Sequence, residues 1–245
     1  MPFSVATISK RKAGHCRVVK VMNGWKKIRI SFLAITFGGV CFALGKSILY
    51  PSVSDRTPLP FVFPAAVSLP EWQPVASSPL VSTTDESSNY LFGRHYRYIK
   101  QGLSLDIEMR YLVQTDGNVN FFIKKYKTIP SSPGQLLPVL RQQEGVGSYN
   151  LFVHQGRAYL STCINPRGGS TVTNNQFILN RYLYDVRLGR LLPWLLGQVE
   201  LRDMRCLWAH MSVPLNNSSP ENAYKTLEKA WVSWYKWWSP RFPNP

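Results

Sequence analysis

The side chains best suited to chemistry in this 245-residue chain are few and scattered: Cys16, Cys41, Cys163 and Cys206, with His15, His95, His154 and His210. A thiolate works as a nucleophile only with a base and an oxyanion donor close by. His210 lies four residues past Cys206. On a strand the two would share a face but stand about 13 Å apart. His154 and Cys163 fall in one predicted hairpin and can come closer. No flanking signature of a thiol protease accompanies either cysteine. Three readings of Cys163 and Cys206 therefore stay open: a disulfide, two buried inert thiols, or a reactive thiol.

Metal chemistry has less support. The histidines and cysteines show no ligand spacing, so no metal and no cofactor is expected. The run Asn165-Pro166-Arg167-Gly168-Gly169-Ser170-Thr171 has the look of a phosphate cradle. It lacks the lysine of a P-loop and a second glycine at the right spacing, and a tight turn is the plainer reading.

Charge is the next constraint. The chain has 29 Lys and Arg against 13 Asp and Glu, a net +16. Such an excess suggests nucleic acid or an anionic surface. Its distribution changes that reading, because residues 1–50 hold nine of the basic side chains and no acid. Eight of them precede Ile30–Gly45, sixteen residues without a charge. Counting on through Lys46 to Tyr50 gives 21 residues. About 20 residues of helix cross a bilayer core. Trp25 and Tyr50 suit the two interfaces, and Lys46 can snorkel to the headgroups. The positive-inside rule then puts residues 1–29 in the cytoplasm as a basic leader, 30–50 in the membrane as an anchor, and the rest outside. A cleaved signal peptide is the rival, with Ala43-Leu44-Gly45 as an unconvincing cleavage site. An extracytoplasmic domain on a plasma (inner) membrane protein argues against nucleic acid as partner.

Residues 51–89 read as a Pro/Ser-rich tether, extended or polyproline-like. Phe61, Phe63 and Trp72 would be costly to leave in water, so the segment has reason to wrap against the domain. A domain over residues 90–241 follows. Leu103 to Val113 alternates apolar and polar residues as a half-buried antiparallel strand, with Arg94–Ile99 as hairpin partner turning at Gln101-Gly102. Val119, Phe122, Ile123 and Tyr126 have the spacing of a short helix. A second hairpin joins Tyr149–His154 to Arg157–Cys163 through Gln155-Gly156. Residues 176–199 are ambiguous, with Pro193 breaking the apolar Leu191–Gly197. Leu207, Ala209, Met211, Val213 and Leu215 share one face of a further strand. The last element is a helix capped by Ser219, with Pro220 in its first turn and Ala223, Leu227, Ala230, Trp231, Trp234 and Trp238 as its stripe. Its tryptophans suit a core or a membrane interface, and Trp237 lies off the stripe. The fold class is α+β: a single transmembrane helix, then an antiparallel sheet with helices packed on one face.

Several long phrases resemble the cyanoexosortase A system-associated proteins, small membrane-anchored accessory proteins of cyanobacteria. They are Tyr96-Arg97-Tyr98, LSLDIEMRYLVQTDGNV (103–119), SYNLFVHQGRAYLSTCINPRGGSTVTNNQF (148–177), LLPWLLG (191–197), LRDMRCLWAHMSVPL (201–215) and SPENAYKTLEKAWVSWYKWW (219–238). The resemblance implies a non-enzymatic accessory role beside an exosortase, a multi-spanning membrane enzyme that sorts and processes proteins and is linked to exopolysaccharide production. Expected partners are the exosortase-like protein, its sorted substrate proteins or exopolysaccharide, and the membrane. No catalytic residue carries over. Cys163, Arg167 and Cys206 lie inside the shared phrases, which makes Asn165, Pro166, Arg167, Gly168 and Gly169 a candidate functional loop. The runner-up is a tethered module that binds an anionic exopolysaccharide through Arg94, Arg97, Lys100, Lys124, Lys125 and Lys127. Those side chains also suit the ordinary solvated faces of strands and a helix. A third possibility is a Cys-dependent enzyme of envelope maturation. Asn216-Asn217-Ser218 and Asn217-Ser218-Ser219 match the glycosylation pattern, which matters only in a eukaryotic secretory route.

Overall fold

The computed structural model describes residues 16–49, 61–80, 90–126, 138–195, 199–216 and 219–243. Tyr50, Lys127, most of both glycosylation matches, and residues 51–60 and 81–89 of the expected tether lie outside the described residues. Helix α1 spans Cys16–Leu49. Within it, Trp25–Gly45 is long and apolar enough to cross a membrane, and none of it is buried against the protein. This window begins five residues before the one read from the apolar run, because α1 continues without a break through the basic flank. At 34 residues the helix is about 51 Å long. It therefore exceeds the ~30 Å hydrocarbon core, which leaves turns for the basic residues outside it.

Seven strands follow: β1 Gln73–Pro79, β2 Tyr90–Lys100, β3 Leu103–Leu112, β4 Val139–Gln143, β5 Gly147–His154, β6 Arg157–Ile164 and β7 Cys206–Pro214. They form one sheet in the order β1-β2-β3-β7-β6-β5-β4, antiparallel at each pairing. The two predicted hairpins are present with their expected turns. Gln101 and Gln155, each followed by a glycine, adopt positive φ there. The connection from β6 to β7 carries α3 Asn174–Asp185 and α4 Leu188–Leu195; α2 Val119–Lys125 follows β3, and α5 Pro220–Trp238 closes the domain.

Alternation in β3 decides the two faces. Leu105, Ile107, Met109 and Tyr111 join Leu207, Ala209, Met211 and Val213 of β7 in one core under α5. The whole predicted stripe of α5 is buried there, and Trp234 meets Tyr96 edge-on at 5.3 Å. Trp237 is half-buried beside this core, against Trp238 at 4.9 Å and beneath the Arg241 guanidinium at 4.6 Å. Helices on one face only is not what the chain builds. Val119, Phe122 and Ile123 of α2 and Phe177 of α3 form a second core on the opposite face, with Leu112, Phe152, Cys163, Cys206 and Trp208. Strands β6 and β7 are thereby buried on both sides.

Residues 61–79 pack against the domain. Phe63, Val67, Leu69 and Trp72 enter the α5-side core, and the Tyr96 and Tyr98 hydroxyls donate to the carbonyls of Pro64 (2.9 Å) and Val67 (2.7 Å). Strand β1 then forms one sheet edge, where Pro74 and Pro79 lack the N–H that would recruit another strand. In the ambiguous region, Thr173 and Gln176 make a capping box that starts α3. Pro193 lies inside α4 rather than ending it. In an eight-residue helix it removes a single bond, the one to the Gly189 carbonyl.

Candidate functional site

The Asn165–Gly169 loop follows β6 and is held from every side. Asn165 Nδ2 donates to the Gly169 carbonyl at 2.6 Å and to Thr171 Oγ1 at 3.2 Å. Arg181 Nη2 donates to the Arg167 carbonyl at 2.6 Å, and the Tyr235 hydroxyl to the Gly168 carbonyl at 3.1 Å. Gly168 sits at φ +74°, where an added Cβ would come within 2.5 Å of Asn180 Nδ2 and 2.6 Å of the Tyr184 ring. Glycine is thus required by both conformation and space. A phosphate cradle presents backbone N–H groups outward. Here three consecutive carbonyls accept bonds from α3, α5 and the loop's own asparagine, so the loop acts as a fastening between layers.

Arg167 leads from this loop into a cluster that neither spacing nor motif pointed out as a whole. The Asp185 carboxylate is fully buried and meets Arg167 Nη1 at 2.6 Å, Arg181 Nη1 at 3.3 Å and Arg190 Nη1 at 3.7 Å. It also accepts the Asp203 backbone N–H at 2.8 Å. Asp203 in turn holds Arg205 through two bonds of 2.6 and 2.7 Å. Arg205 continues to the Tyr111 hydroxyl at 2.8 Å and the Pro243 carbonyl at 3.0 Å. Four arginines thus share two carboxylates. Burial pushes the Arg181 guanidinium below its usual value, while Asp185 and Asp203 work the other way. The i,i+4 spacing of Arg181 and Asp185 was the one sequence signal for this cluster; Asp203 and Arg205 follow no period.

The sulfurs of Cys163 and Cys206 are bonded to each other across β6 and β7. His154 and Cys163 are not brought together. His154 pairs with Arg157 at the turn, and Cys163 lies six residues farther along β6, about 20 Å away. His210 faces Ser161, one diagonal step from Cys163, or about 7–8 Å. Its ring is stacked on Tyr159 at 5.2 Å and lies near Trp208 at 5.5 Å, and neither ring nitrogen has a hydrogen-bond partner among the described residues. Burial and the Arg110 charge push its imidazole down to about 3. A neutral ring so enclosed makes a poor general base for solvent-borne substrate.

On the same face, towards β2, Asp106 collects two arginines and a histidine. His95 Nε2 is 3.3 Å away, Arg97 Nε 2.9 Å and Arg157 Nη2 2.7 Å. Burial resists ionisation of its carboxyl, but the bonds from His95 and Arg97 and the Arg157 charge outweigh that and hold it well below the usual range. Lys100 pairs with Glu71, which also holds Lys229 at 2.6 Å. Two of the proposed polymer-binding cations, Arg97 and Lys100, are thus each paired with a carboxylate of the protein that a second cation also shares. A cleft of about 340 Å³ between β3 and α2 is lined in part by Thr115, Asp116 and Asn118. These three polar side chains accept bonds from the backbone leading into and starting α2. Among the described residues no group of three or more His, Cys, Asp or Glu is placed to hold a metal ion.

The fold and its fastened loop define a class by architecture: an α+β domain on one antiparallel sheet, preceded by a helix long and apolar enough to span a bilayer. No family model, curated protein or solved structure matches the chain.

Proposed function

We propose that this chain is a membrane-anchored accessory protein of an exosortase-type sorting system, acting by binding the transpeptidase or its substrates. The observation that carries this reading is α1, whose apolar window is unburied on every side and needs lipid around it. The basic residues before it support a cytoplasmic N-terminus, with the domain outside. The Cys163–Cys206 disulfide suits that oxidising side and leaves neither sulfur as a thiolate. From Leu49 to Phe61 the chain has twelve Cα steps, so the domain stays within about 40 Å of the end of α1. Short tethers of this kind raise a neighbour's effective concentration to the order of mM. The resembling phrases support the partner: they cover β3, the β5–β6 hairpin with its loop, β7 and α5, which together supply most of the core under α5.

Crosslinking and affinity capture of the tagged protein from native membranes tests this. Recovery of a multi-spanning exosortase-like protein, lost on deletion of residues 90–241, is the expected result. Recovery of acidic polysaccharide in its place, released by salt, would replace it with a polymer-binding role.

A further inference from the structure

Helix α4 has no buried residue, although five of its eight residues are Leu or Trp. Leu188 is 87% exposed, Leu192 62%, Trp194 47% and Leu195 55%. On α3, the preceding helix, Leu179 is 59% and Leu183 66% exposed. So many large exposed apolar side chains within residues 179–195 of a folded domain mark an interaction site. Its rim is basic. Arg187 is exposed, Arg202 lies over the Tyr182 ring at 5.2 Å, and Arg190 reaches across to the Glu200 carbonyl at 3.0 Å. Asp185, the acid at the end of α3, is buried in its own ion pairs and contributes no exposed negative charge.

We infer that the α3–α4 face lies on the surface of the bilayer, with Leu188, Leu192, Trp194 and Leu195 in the headgroup–acyl boundary and Arg187 and Arg202 on anionic headgroups. A short apolar helix with interfacial tryptophan and flanking arginine has the chemistry of an interfacial segment. This inference rests on the reading that α1 spans a membrane. The same twelve-step connection keeps the domain beside that membrane, so a weak second contact suffices.

The test uses the full-length protein in nanodiscs containing phosphatidylglycerol, in a Cys16→Ser/Cys41→Ser background with the disulfide intact. A nitroxide is placed in turn at Leu192→Cys, at Phe37→Cys within α1, and at Lys225→Cys on the exposed side of α5. Oxygen and a water-soluble nickel complex compete as relaxants. The expected result is a loss of nickel access at 192, towards that at 37, while 225 stays accessible. The loss should lessen in purely zwitterionic discs. Nickel access at 192 equal to that at 225, with 37 shielded, overturns the bilayer contact while leaving the anchor intact. Protection at 192 only after a partner protein is added would assign the face to that protein and also overturn it. Free nickel access at 37 would remove the anchor reading itself, and this inference with it.

Discussion

His210 shows how one buried ring sets a pH response. Its imidazole is held neutral in the fold, with its pKa pushed down to about 3, whereas in the unfolded chain it titrates near 6.5. The unfolded state therefore binds the extra proton as pH falls. Stability is unaffected above about 6.5 and declines below it, by about 1.4 kcal/mol per unit, until the folded ring protonates. His210→Leu removes the titration and keeps an apolar ring partner. Urea midpoints in micelles between pH 6.5 and 5 should slope in the native chain and flatten in the variant; equal slopes would show that other groups dominate. Alternation along β7 told which side His210 faces. It did not tell that α2 and the Phe152, Tyr159 and Trp208 side chains close over that side, because His210 and Ser212 there are polar by type and read as a solvent face although both are buried.

At the scale of elements, Asp185 joins the loop after β6, the end of α3, the start of α4 and the segment entering β7. Asp185→Ala leaves the fully buried Arg181 without its carboxylate and should cost about 3–5 kcal/mol. A small change in the urea midpoint would mean that the arginines find other acceptors. The β2–β3 hairpin and α5 were legible because their period-2 and helical patterns match one-sided burial, and because Ser219 and Pro220 mark a helix start. The region around α3 and α4 was not. Leu179, Leu183, Leu188 and Leu192 look like core residues in the sequence yet face outward, which blurs the periodicity on which the reading depends. The Asn165–Gly169 loop was legible as a turn; its role as a fastening needed the donors of α3 and α5, which come from far along the chain.

Across the whole molecule, the Cys163–Cys206 bond closes a 43-residue span that contains the loop, α3 and α4. Cys163→Ala/Cys206→Ala should lower stability by about 2–4 kcal/mol without changing strand pairing, since β6 and β7 remain neighbours by eight register pairs. Thermal unfolding monitored by circular dichroism, with and without reductant, checks both points; an unchanged midpoint would show that the crosslink adds nothing to a sheet already held on both sides. Composition and the proline run hid how much of residues 61–79 belongs to the domain. Only three large aromatic side chains hinted at it, and their partners are residues of β2, β3 and α5.

That packing gives the domain a mechanical character. Among the described residues, a load applied along the chain from its N-terminal side reaches Phe61 first, lodged against Tyr111 and Trp238, then Phe63, then the Pro64 and Val67 carbonyls gripped by Tyr96 and Tyr98. The sheet itself takes the strain only beyond Trp72, where β1 begins. Pulling therefore yields in small steps from one end, like a row of stitches, and frees residues 61–72 before the central strands are disturbed.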